Sequence, residues 1–119
     1  MLSEALLAAT GAAVGSDPEL DRRLARELGA PPAAYTASID AALDLIRHAL
    51  PGWDWHLGWH ADGIRPYASL HDRTRTAHAQ AAGPTVPMAL LRAMAEALSH
   101  APATAGPPAA PAPADDSGR

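Results

Sequence analysis

Trp53-Asp54-Trp55-His56-Leu57-Gly58-Trp59-His60-Ala61-Asp62-Gly63-Ile64-Arg65-Pro66-Tyr67-Ala68-Ser69-Leu70-His71 decides the fold. Apolar and polar residues alternate from Trp53 to His60, the period of a strand with one buried face. Asp62-Gly63 is a two-residue hairpin turn, because both positions accept positive φ. Centring the turn there sets the register of the return strand, Ile64 to His71. Ala61 opposes Ile64, Trp59 opposes Pro66, Leu57 opposes Ala68 and Trp55 opposes Leu70, all apolar. On the other face His60 meets Arg65, Gly58 meets Tyr67, His56 meets Ser69 and Asp54 meets His71. A slip of one residue would mix the faces, so the sorting argues for the register. Tyr67 laid over Gly58 would cover a weak strand position. Pro66 has no N–H to donate, so its amide side is expected to face outward or a bulge. In a chain without Phe, Trp55 is expected in the core, and Trp53 and Trp59, at the strand ends, less so.

Outward from the hairpin, Asp72-Arg73-Thr74 reads as a turn and Arg75 to Ala81 as a third meander strand, Ala-rich and of low strand propensity. Gly83-Pro84 ends it. Thr85 caps a last helix whose core stripe is Met88, Leu91, Ala95 and Leu98, widened by Leu90 and Met94. Upstream, Ser3 caps a helix through Ala13. Asp17 and Pro18 start a second helix with a Leu20, Leu24, Leu28 stripe, and Gly29 stops it. Ser38 caps a third, with Ile39, Leu43, Ile46 and Leu50 on the buried face and Asp40, Asp44 and Arg47 on the wet one. Pro51-Gly52 ends it. The order is α-α-α-β-β-(β)-α. That is an α+β fold, a two- to three-stranded antiparallel β-meander packed with helices.

The chain has 119 residues, 12.3 kDa and a net charge of −4. Residues 1–100 make one small domain. Residues 101–119, rich in Ala and Pro, carry no large apolar side chain and are expected to be a disordered tail. All nine basic residues are Arg, and there is no Cys, which excludes disulfides, zinc ribbons, iron–sulfur clusters and thiol catalysis. The apolar stretch Met1 to Val14 has no basic residue before it and is too short to span a bilayer, so a cytoplasmic protein with no membrane partner is expected.

Several short pieces carry a resemblance. They are Ala9-Thr10-Gly11, the Pro18-Glu19-Leu20-Asp21 helix start, Tyr35-Thr36-Ala37-Ser38-Ile39-Asp40-Ala41-Ala42-Leu43, Pro51-Gly52-Trp53-Asp54-Trp55, and Thr85-Val86-Pro87-Met88-Ala89-Leu90-Leu91. Together they resemble the phage ABA sandwich domain, a family of small phage and prophage proteins. The resemblance covers about Leu6 to Leu98. It implies an α/β/α sandwich-like arrangement and carries over no catalytic residue. A sandwich covers both sheet faces, whereas this hairpin has one polar face, which is therefore either incompletely covered or a site.

The functional expectation is a non-enzymatic phage or prophage accessory protein that binds a macromolecule, a protein rather than nucleic acid on charge grounds. Its candidate surface is His56, His60, Arg65, Tyr67, Arg73 and Arg75, because Arg and Tyr suit interface centres and the core gains nothing from them here. No catalytic residue, metal ligand or cofactor is assigned. An alternative is a small metal-dependent enzyme using Asp54, His56 and His71, where two imidazoles and a carboxylate could hold a divalent ion. His56 and His60 cannot share one, being about 13 Å apart along a strand. A further alternative is nucleic-acid binding through Arg65 to Arg75. A homo-oligomer is compatible with the sequence and not indicated by it.

Removing residues 101–119 should leave thermal unfolding unchanged, because the tail has nothing to bury. A melting temperature lowered by more than a few degrees would show that the tail docks.

Overall fold

The computed structural model describes residues 2–59, 65–74 and 76–100. Helices α1 (Glu4–Ala12), α2 (Pro18–Leu28) and α3 (Ile39–Ala49) precede strands β1 (Asp54–Trp59), β2 (Pro66–His71) and β3 (His78–Ala82), and α4 (Val86–His100) follows them. The capping chemistry operates as read. Ser3 Oγ accepts from the Leu6 N–H, Asp17 Oδ1 from Leu20, Ser38 Oγ from Ala41 and Thr85 Oγ1 from Met88. Gly29 closes α2 in the left-handed region, at φ 64°.

The strands form one antiparallel sheet in the order β1-β2-β3. Every expected pair from Asp54↔His71 to Trp59↔Pro66 is present. The two pairs nearest the hairpin turn involve residues 60–64, outside the described residues. The third strand forms, but from His78 rather than Arg75. The Asp72 carboxylate accepts the amides of Thr76 and Ala77, which prolongs the turn through Ala77.

Helix α4 packs on β2 and β3, and also on α3 and α1. Met88, Leu90, Leu91 and Met94 are all fully buried, as the widened stripe expects, and the burial of Ala89, Ala93 and Ala97 extends the apolar face nearly all round the helix. The turn from β3 into α4 is tight. A Cβ on Gly83 would meet the Ala89 backbone nitrogen at 2.7 Å and the Met88 carbonyl carbon at 3.0 Å. Ala89, Ala93 and Ala97, all buried, keep α4 slender at every fourth residue.

Arg92 is the polar fastening of α4, a role the sequence did not announce. Its guanidinium donates to the carbonyls of Thr10 (3.4 Å), Gly11 (2.9 Å) and Ala13 (3.0 Å) at the end of α1, and to Ala82 (3.3 Å) at the end of β3. The last carbonyls of a helix lack intrahelical donors and carry its negative dipole end, so a cation there satisfies both.

On α3, Leu43, Ile46 and Leu50 are buried as expected, joined by Ala42 and Leu45. Ile39 is not: it is 43% exposed, because it opens the helix and the buried stripe begins a turn later. The α2–α3 corner is sealed by Thr36, whose hydroxyl accepts from the Asp17 amide and whose amide donates to buried Asp21. Tyr35, also buried, donates its hydroxyl to the Pro31 carbonyl.

Gly83→Ala should destabilise by about 1–3 kcal/mol, since the new methyl meets backbone rather than a movable side chain. Arg92→Leu should cost about 2–3 kcal/mol by orphaning carbonyls. Asp44→Ala loses only the exposed 2.7 Å pair with Arg47 and should cost under about 0.5 kcal/mol. Urea melts that rank Asp44 with the other two would contradict this packing.

Candidate functional site

The direction of the backbone hydrogen bonds defines the outer edge of the sheet. The Gly83 N–H donates to the Pro66 carbonyl, and the Asp72 N–H to the Ala77 carbonyl. In an antiparallel strand each residue points its N–H and C=O the same way, and successive residues alternate. Pro66, Ala68, Leu70 and Asp72 therefore address β3, and Tyr67, Ser69 and His71 address β1. Their partners Gly58, His56 and Asp54 point inward, which leaves the N–H and C=O groups of Trp55, Leu57 and Trp59 on the free side of β1. The bond Pro66 cannot donate falls on the last rung of the β2–β3 ladder, so its amide side faces neither solvent nor a bulge.

The same three residues carry the apolar stripe of β1, and here the core expectation needs correction. Trp55 stands opposite the fully buried Leu70 yet is 43% exposed, and Trp59 is 62% exposed. Leu57 and Trp53 are partly buried against the core. The cause is the footprint of α4. A helix about 10 Å across spans roughly two strands at about 4.8 Å spacing, and α4 lies under β2 and β3. β1 is left at the margin. A hollow of about 400 Å³ opens beside it, lined by Ile46 and Arg47 of α3 and by Trp53, Asp54, Trp55, His56 and His71.

On the opposite face His56, His78 and Gln80 are exposed, so this side of the sheet is open. Tyr67 lies over Gly58 as expected: a Cβ there would meet the phenol ring at 2.7 Å. His71 stacks on His78 with centroids 5.0 Å apart, and its Nε2 is 3.2 Å from Ser69 Oγ. Among the described residues, no three His, Asp or Glu side chains gather closely enough to hold an ion, so Asp54, His56 and His71 are not brought together as a ligand set.

The expected interaction residues are dispersed. Arg65 precedes β2 and Arg73 follows it, at opposite ends of a strand about 20 Å long. Both are exposed. His56 projects from the middle of β1, and His60 and Arg75 lie outside the described residues. Arg73 rests against the corner after α3, with its Nε 3.4 Å from where a Cβ on Gly52 (φ 82°) would stand. The turn that carries Arg73 is organised by Asp72, whose carboxylate accepts from Thr76 N (2.9 Å), Thr76 Oγ1 (3.0 Å), Ala77 N (3.2 Å) and Thr74 Oγ1 (3.2 Å). Partial burial raises the Asp72 pKa, but the hydrogen bonds from Ala77, Thr76 and Thr74 outweigh it and hold the carboxyl below the ordinary range.

The residues behind the family resemblance are framework. Thr36 and Asp21 seal the α2–α3 corner, Ser38 and Thr85 cap helices, Gly11 offers its carbonyl to Arg92, and Gly52 turns the chain into β1. No family model, curated protein or solved structure matches the chain. No helix among the described residues is long and apolar enough to cross a membrane.

A carboxyl with a depressed folded pKa stabilises above its unfolded pKa, about 4, and loses that contribution as pH falls through the folded value. At pH 7 Asp72→Asn should therefore be less stable than wild type by about 1 kcal/mol. Urea melts from pH 7 to pH 2.5 should show the two converging at the acid end. A constant gap would mean that the charge of Asp72 is not what holds the turn.

Proposed function

We propose that this chain is a non-enzymatic phage or prophage accessory protein, and that it acts by binding a protein along β1. One observation carries the reading: Trp55 and Trp59 remain exposed on a strand whose outer N–H and C=O groups have no partner strand among the described residues. Burying a Trp side chain is worth about 1.5–3 kcal/mol or more, so leaving two at a sheet margin forgoes stability that docking would recover. Extended partners add to such an edge through main-chain bonds, with affinity and selectivity from the flanking side chains. The neighbouring hollow, with Arg47 and His56 at its wall, offers polar groups for the rim of a contact. The net charge of −4 supports a protein partner over a phosphate backbone.

Capture from phage-infected or prophage-bearing cells, followed by titration of the purified partner, tests this. Trp55→Ser/Trp59→Ser should weaken binding at least tenfold while leaving the far-UV spectrum unchanged. If the folded double variant binds as tightly as wild type and Arg65→Ala/Arg73→Ala does not, the polar face is the interface and β1 is not.

A further inference from the structure

The edge of β1 has an internal symmetry. The residues with outward N–H and C=O groups are Trp55, Leu57 and Trp59, so Trp55-His56-Leu57-Gly58-Trp59 reads the same in both directions on its apolar face. An interface around a two-fold axis must be self-complementary, each residue meeting the partner of its mirror position. We infer that the occupant of this edge is a second copy of the chain, paired antiparallel about Leu57; this rests on the reading of β1 as the binding edge.

The pairing follows from the register. Leu57 meets Leu57 of the other copy, and Trp55 meets Trp59 on both sides of the axis. All three are positions with outward amides, so each pair exchanges two N–H···O bonds, roughly six in all. Cross-strand aromatic pairs are among the stabilising ones in sheets. On the polar face His56 of one copy stands across from Gly58 of the other, over which that copy's Tyr67 ring lies. The result is a continuous six-stranded sheet across two chains, with each Trp pair closing the margin that α4 leaves uncovered.

Two further observations favour a second copy. Natural edge strands are usually protected by Lys, Glu, Pro or a bulge, and none of these residue types occurs between Trp55 and Trp59. The exposed parts of the two Trp side chains amount to about 250 Å² per chain, or about 500 Å² for a pair. With the strand backbones added, that approaches the roughly 1,000–1,200 Å² at the low end of specific interfaces, which sets the expectation of a weak, concentration-dependent dimer.

Sedimentation equilibrium of the full chain should show the mass rising from 12.3 kDa towards twice that value at several hundred micromolar. Trp59→Lys, a change at an exposed position, should hold it at the monomer mass. The chain has no cysteine, so single-cysteine variants report the register directly. Leu57→Cys should form a disulfide-linked dimer on mild oxidation, because the paired Cα atoms lie about 5.5 Å apart, within disulfide range. Asp54→Cys, displaced from its own copy by about 20 Å, should not. A monomer at every concentration with no cross-link at position 57 overturns the inference. If in that case Trp55→Ser/Trp59→Ser still loses a heterologous partner, β1 remains a binding edge and only its occupant was misassigned. A monomer whose Trp emission shifts when residues 101–119 are removed assigns the edge to the chain's own tail. A dimer that survives Trp59→Lys and fails to cross-link through position 57 uses another surface, and also overturns the inference.

Discussion

A helix whose Met88, Leu90, Leu91 and Met94 are all fully buried cannot lie on a surface, and the other elements take their places around that requirement. The sheet supplies one wall, α3 and α1 supply others, and α2 packs behind α1. The turn from β3 into α4 brings Gly83 against the Ala89 backbone, where no side chain larger than hydrogen fits. The width of α4 limits its footprint to two strands, so the exposed Trp pair on β1 is a direct result of how the core is closed.

What the sequence made legible was what depends on local chemistry. Helix starts follow from Ser3, Asp17, Ser38 and Thr85, whose side-chain oxygens need only a nearby amide. The hairpin register follows from two-residue periodicity and a turn dipeptide. Even Tyr67 over Gly58 is a neighbouring-strand effect. Lateral position was not legible. Alternation says that Trp55 faces the helical side of the sheet, but not whether a helix lies beneath that strand. Ile39 failed for a similar reason, since helical phase gives a face and not the point along the axis where burial begins.

The candidate site divides along the same line. His56, Arg65, Tyr67 and Arg73 were singled out by residue type, and the sheet then set Arg65 and Arg73 at opposite ends of β2. The feature that stands out instead is a backbone property, the outward direction of the Trp55, Leu57 and Trp59 amides. It emerges only once the partner of Pro66 on β3 is known. Arg92 was equally hidden. Nothing about one Arg in an apolar helix signals that its partners are carbonyls about 80 residues upstream.

That separation bears on how the chain comes together during synthesis. Helix α1 and the three strands leave the ribosome before α4, and until α4 follows, Leu70 and Ala68 of β2 have no layer to bury them and the end of α1 has no cation to hold it. Contacts of this sequence span form late, because the entropy of closing a long loop must be met before they contribute. A nascent chain that stalls before residue 86 therefore lacks the helix that covers β2 and β3, and presents an uncovered sheet rather than a smaller stable domain.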